Sequence, residues 1–164
     1  MLADLLRRSR GRSVDLADEA PESLTWAVHV PFWEYVKEAS GHILVSPPAQ
    51  RKDREVVFPY AETRTVQGTL SLRFEGQVTF TAHGGALDLR LAAPRIDLTD
   101  TAIWLSAVCG NDHDARRLPV AELRTRPQGH DQLDTFLTPA GVDLFGGQYP
   151  VGMPLSTPYL RRRS

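Results

Sequence analysis

Residues 68–91 read Gly-Thr-Leu-Ser-Leu-Arg-Phe-Glu-Gly-Gln-Val-Thr-Phe-Thr-Ala-His-Gly-Gly-Ala-Leu-Asp-Leu-Arg-Leu. Leu70, Leu72 and Phe74 alternate with Ser71 and Arg73. Val78 and Phe80 alternate with Gln77, Thr79 and Thr81, and Leu87, Leu89 and Leu91 alternate with Asp88 and Arg90. A period of two sends successive side chains to opposite faces of an extended chain, so each run is a strand with one buried face. Gly76 and Gly84-Gly85 lie between the runs, where a chain reversal needs residues tolerant of positive φ. Working outward, Val56, Phe58 and Tyr60 precede. Ile96, Leu98, Ile103, Leu105, Val120 and Leu123 follow in short pieces, with turns marked at Gly68, Pro94, Asp100 and Gly110-Asn111. The pattern predicts a mainly β domain, an antiparallel β-sandwich-like or barrel-like arrangement.

Two segments depart from the alternation. Apolar residues at 26, 28, 32, 33, 36 and 39 have near-helical spacing and predict an amphipathic N-terminal helix over 26–39. Ser23 or Thr25 would cap it, Pro31 would sit in its first turn and Gly41 would stop it. Thr138-Pro139-Ala140 followed by Val142, Leu144 and Phe145 predicts a short, capped C-terminal helix of one to two turns with Pro139 at its first position. A last strand is expected around Met153 to Leu160. Before residue 24 the chain is polar, basic from Arg7 to Arg12 and then acidic, which reads as a loose arm. The expected organisation is therefore an arm over 1–23, one domain over 24–160 and a solvated basic tail over 161–164.

The length of 164 residues, with 41% apolar and 24% charged, suits one folded domain. Lys plus Arg is 19 against Asp plus Glu at 20, so no global field favours nucleic acid. Cys109, the one cysteine, rules out an internal disulfide and a cysteine-built zinc site, and an inert thiol is expected there. Leu2, Leu5 and Leu6 precede the arginines instead of following them, the reverse of a secretory signal. No stretch approaches the roughly 18 apolar residues of a membrane span. As given, the chain reads as cytoplasmic. Asp112-His113-Asp114 holds metal-ligand side chains, but neighbours in sequence rarely converge on one ion, and the segment reads as a loop. No GxSxG, HExxH, P-loop or GxGxxG pattern occurs.

Chemistry concentrates in Trp26-Ala-Val-His-Val-Pro-Phe-Trp-Glu-Tyr-Val-Lys37 and in the strand-turn at His83. Taken alone, the first is the core face of a helix with a tyrosine hydroxyl at its rim, and His83 is a histidine satisfied by turn backbone. Four patterns recur in order: W-x(6)-W-x-Y-V from Trp26, F-x-G-x-V-x-F-T-x-H-x-G-x-L-D-L from Phe74 to Leu89, P-R-I-D-L at Pro94, and L-T-x-A-G...F-G-G-x-Y-x-x-G from Leu137 to Gly152. Together, over about residues 24–160, they resemble the HtaA domain, the haem-binding module of bacterial haem-acquisition proteins.

The resemblance implies non-enzymatic binding of ferric haem b for transport, trafficking or buffering. Tyr35 would be the axial iron ligand and His83 its hydrogen-bond partner, with Phe32 the first choice for a porphyrin wall, then Trp33 and Val36. A phenol titrates near ~10 and ligates Fe³⁺ well only as phenolate, so a donor beside it is expected. Phenolate ligation favours the ferric state. His29, six positions before Tyr35, falls on another part of the helix and reads as a wall residue. Haem donor or acceptor proteins would be the partners. Members of the family are usually secreted or surface-anchored, whereas this chain shows no signal sequence. Two other readings stay open: an interaction module on the same fold that has lost haem binding, and an enzyme acting on haem or a small aromatic ligand.

Overall fold

The computed structural model describes residues 20–126 and 129–163. The expected arm therefore lies outside the described residues up to residue 19. The elements in chain order are β1 (Pro21–Trp26), α1 (Val30–Glu38), β2 (His42–Ser46), β3 (Gln50–Lys52), β4 (Glu55–Val66), β5 (Thr69–Phe74) and β6 (Gln77–Ala82). A 3₁₀ turn, His83–Gly85, leads into β7 (Leu87–Leu98), β8 (Ile103–Cys109), β9 (Arg116–Arg126), β10 (Gly129–Leu137), α2 (Pro139–Leu144), β11 (Pro154–Leu155) and β12 (Tyr159–Arg162).

Every pairing is antiparallel, in the order β11-β10-β9-β8-β7-β5-β4-β1-β12. β6 lies beside β7, β2 beside β6 and β3 beside β4. Two long strands bend the sheet over on itself. β7 pairs β6 through Leu87 to Ala92 and β5 through Arg95 to Leu98. Between these halves Ala93 takes φ 45° and Pro94 offers no N–H to the ladder. Pro94 therefore bends one strand, where the sequence reading had it as a turn between two. β4 changes partner likewise, pairing β1 through Val56 to Pro59 and β5 from Tyr60 onward. The result is the mainly β, sandwich-like antiparallel fold with two helices that the alternation predicted.

The core fills the fold of this curled sheet. Leu70, Leu72, Phe74, Val78, Phe80, Leu87, Leu89 and Leu91 are all buried, as the period of two requires. Phe80 is fully buried at the centre, its ring 5.1 Å from Phe32 and 5.4 Å from Trp33, so the strand-turn region directly supports α1. Burial of each such aromatic contributes about 1.5–3 kcal/mol.

The first helix is shorter than the expected 26–39. Residues 21–26 are β1, paired to β12 on one side and β4 on the other, so Ser23 and Thr25 are buried strand residues and cap nothing. Strand pairing over 21–26 outcompetes the helical pattern. Val28 then takes φ 61°, closed to a helix and costly for a β-branched residue. It is held there by Ser156 N–H donating to its carbonyl at 3.0 Å. α1 begins at Val30 after extended His29, whose side chain makes no capping bond, with Pro31 in the first turn. At the C-terminal side, β12 runs on past Leu160 to Arg162, which pairs with Pro21. Among the described residues no helix is long and apolar enough to cross a membrane.

Candidate functional site

Three segments distant in sequence meet at the phenol of Tyr35. Tyr35 projects from the half-exposed side of α1, while Phe32, Trp33 and Val36 on the same helix are buried and anchor it. Phe32 lies against the Tyr35 ring, nearly parallel at 17° with centroids 6.2 Å apart.

The second segment is the end of β6. His83, Gly84 and Gly85 have φ 54°, 64° and 95°, three consecutive left-handed residues closed by Ala86 N–H donating to the His83 carbonyl at 3.2 Å. Two glycines carry most of this tight reversal without steric cost, and histidine is among the side chains that tolerate the rest. The reversal leaves His83 exposed, with its Nε2 2.6 Å from Tyr35 Oη.

The third segment follows α2, whose cap Thr138 accepts from Gly141 N–H at 3.0 Å. Gly146 and Gly147 take φ 71° and 70° and turn the chain back, so that Gln148 Nε2 donates to Tyr35 Oη at 2.7 Å. The next residue, Tyr149, packs edge-on against Phe32, Phe145 and His29. Burial pushes the Tyr149 phenol above its ordinary range, and the Tyr35 oxygen nearby adds to this. Burial lowers the His29 imidazole, favouring its neutral form.

Tyr35 Oη thus sits between a histidine nitrogen and an amide N–H. As a neutral phenol it donates to His83 Nε2 and accepts from Gln148. As a phenolate it accepts from both, once Nε2 carries the proton. A Cβ added at Gly84, Gly85 or Gly147 would meet no atom within 4 Å.

Of the residues singled out from sequence, Tyr35, His83 and Phe32 come together. Trp33 faces Phe80, donates its indole N–H to the Ala27 carbonyl at 2.7 Å and lies under Arg51, and Val36 is fully buried. His29 contacts Tyr149 at the rim of the aromatic cluster. Gln148 and Tyr149 were not assigned roles from sequence, although the F-G-G-x-Y pattern spans both. The 112–114 segment is a turn stitched by Asn111 and Asp114. Among the described residues no group of three or more His, Cys, Asp or Glu could hold a metal ion.

The HtaA family model matches residues 21–157. No curated protein sequence matches the chain significantly. Among solved structures, the C-terminal domain of HtaA from Corynebacterium glutamicum is similar at TM-score 0.67 and 21% identity, covering 85% of this chain and 95% of that one. The N-terminal domain of the same protein gives 0.67 and 21%, covering 87% and 97%. The haem-binding protein HtaB from the same organism gives 0.62 and 20%, covering 87% and 92%.

Proposed function

Because the chain belongs to the HtaA family, we propose that it binds ferric haem b without catalysing its conversion, with Tyr35 Oη as the protein ligand to iron. The observation that carries this reading is the placement of Tyr35 Oη between His83 Nε2 and Gln148 Nε2, at 2.6 and 2.7 Å.

The residues suit the ligand. An anionic phenol oxygen is a hard donor for Fe³⁺, and its charge needs the two hydrogen bonds that this pair supplies. The glycine turns on either side leave open space where side chains would otherwise stand. Bound haem would supply the ferric centre that makes the phenolate form favourable. The Tyr35 proton has a local acceptor in His83 Nε2, and Gln148, a donor only through its Nε2, holds the oxygen in either state. Phe32 and Val36 are fully buried, so in this reading they and Trp33 fix the ligand helix rather than touch the porphyrin. Tyr149, half-buried beside Phe32, is the aromatic surface offered to it. One ligand on an exposed helix side suits transfer of haem to or from another protein.

Absorbance titration of the purified protein with ferric haem tests the assignment. Saturable one-to-one binding with a phenolate-to-iron charge-transfer band is expected, lost in Tyr35→Phe with the fold intact by circular dichroism. Unchanged affinity and spectrum in Tyr35→Phe would overturn it.

A further inference from the structure

The solvent face of the sheet carries a cluster of arginines on β5, β7 and β9, elements distinct from those that present Tyr35. One cross-strand row runs Glu62, Arg73, Arg95 and Ser106, and the next runs Arg64, Ser71, Asp97, Trp104 and Glu122. Arg73 and Arg95 are therefore directly opposite each other, a like-charge pairing that destabilises a sheet unless something compensates it. Arg117 of β9 adds a third guanidinium. Its Nη1 donates to Ser106 Oγ at 3.1 Å and its Nη2 to the Ala93 carbonyl at 2.8 Å, both neutral acceptors. Burial, and then the charges of Arg95 and Arg73, press Arg117 away from its protonated form.

The carboxylates at hand pair with Arg95 and Arg73 and leave Arg117 without a carboxylate bond among the described residues. Asp97 accepts from Arg95 Nε and Nη2 at 3.1 and 2.9 Å and from Ser71 Oγ at 2.5 Å. Glu62 lies 3.0 Å from Arg64 and 3.6 Å from Arg73. Arg73 Nε is sealed from solvent with no acceptor. Beside these groups a cavity of about 300 Å³ is lined by Arg95, Asp97, Trp104, Ser106, Arg117 and Pro119. The half-buried Trp104 indole N–H makes no hydrogen bond among the described residues.

We propose that this groove is an oxyanion site for a phosphate group, free or as a monoester, held by Arg117 and Arg95 with Trp104 beside it. A guanidinium fork matches a phosphate's oxygens two at a time, and the indole offers both an N–H and an aromatic face. A phosphate would supply the negative charge that Arg117, bonded only to the neutral Ser106 hydroxyl and Ala93 carbonyl, lacks.

The test is titration of the purified protein with inorganic phosphate in low-salt buffer, followed through the ¹H–¹⁵N signals of the tryptophan indoles. The Trp104 signal should shift saturably, while Trp26 and Trp33, bonded to the Ser156 and Ala27 carbonyls, stay in place. Phenyl phosphate in a second titration separates the sources: tighter binding indicates a monoester, equal binding free phosphate. Arg117→Gln and Arg95→Gln should each weaken binding at least tenfold. Arg161→Gln, whose side chain pairs with Glu22 on the β1–β12 edge, should leave it unchanged. Failure of the native protein to saturate with either probe overturns the proposal, as does native affinity in both Arg117→Gln and Arg95→Gln. If Arg117→Gln does not fold, Arg95→Gln and the native titration decide. Tyr35→Phe should bind phosphate as the native chain does, so the outcome here is independent of the haem reading.

Discussion

Tyr35 Oη takes one hydrogen from Gln148 and shares another with His83. Each bond to an anionic oxygen is worth about 1.5–3 kcal/mol, so Gln148→Ala should weaken ferric haem binding about tenfold and shift the charge-transfer band, both read in the absorbance titration. An unchanged spectrum and affinity would remove Gln148 from the site. Tyr35 and His83 were legible because they hold fixed places in the quoted patterns. Gln148 was not, because it stands at the free position of F-G-G-x-Y, where only the fold of the Gly146-Gly147 turn aims it at the phenol. Cys109 allows a separate test. It is buried, its Sγ near the Ala107 carbonyl, and burial pushes its thiol from an ordinary value of 9.0 up to about 11. The folded chain therefore keeps this proton where the unfolded chain loses it. The linked stabilisation is complete below pH 9 and is lost as pH rises from about 9 to about 11, a loss of ~3 kcal/mol at most. Denaturant midpoints measured across that range should fall, and Cys109→Ala should flatten the fall.

At the scale of elements, the helix stops show how a correct residue can be read for the wrong reason. The left-handed position after α1 is Ser40, at φ 55°, and the closing bonds are Ser40 N–H to Lys37 O at 3.0 Å and Gly41 N–H to Val36 O at 2.8 Å. Gly41 is required because a Cβ there would strike the Thr81 carbonyl, Ala82 and Val36 as the chain crosses β6. Gly41→Ala should thus destabilise by about 1–3 kcal/mol, a drop in thermal midpoint that a freely placed glycine stop would not show. The α2 cap, by contrast, was read correctly. Thr138 Oγ1 accepts from Gly141 N–H and donates to the Pro119 and Val120 carbonyls. Thr138→Ala should cost about 1–2 kcal/mol and loosen the loop that delivers Gln148, lowering haem affinity together with stability. The beginning of α1 was misread because Trp26 and Val28 fit a helical period and a strand period alike, and β4 and β12 on either side decide between them.

For the whole molecule, one aromatic cluster joins sheet, helix and site. Phe80 touches Phe32 and Trp33, and Phe32 touches Tyr35, Phe145 and Tyr149. Phe80→Ala should cost about 3–5 kcal/mol and, in protein that remains folded at low temperature, weaken haem binding by releasing α1. Full affinity in such a variant would show that the core does not position the ligand helix. The sequence by itself determined the mainly β class, the strands from β5 to the first half of β7, the capped α2 and the pairing of Tyr35 with His83 as candidates. These rest on a period of two, on local capping chemistry and on motif positions, all visible within short windows. Only the tertiary structure decided that Pro94 bends one continuous strand, that β4 changes partner after Pro59, that residues 21–26 pair instead of coiling, that Gln148 reaches Tyr35 across 113 residues and that three arginines share one face. Those outcomes depend on which strand lies beside which, and pairing across long stretches of chain is fixed by burial and register summed over the whole sheet.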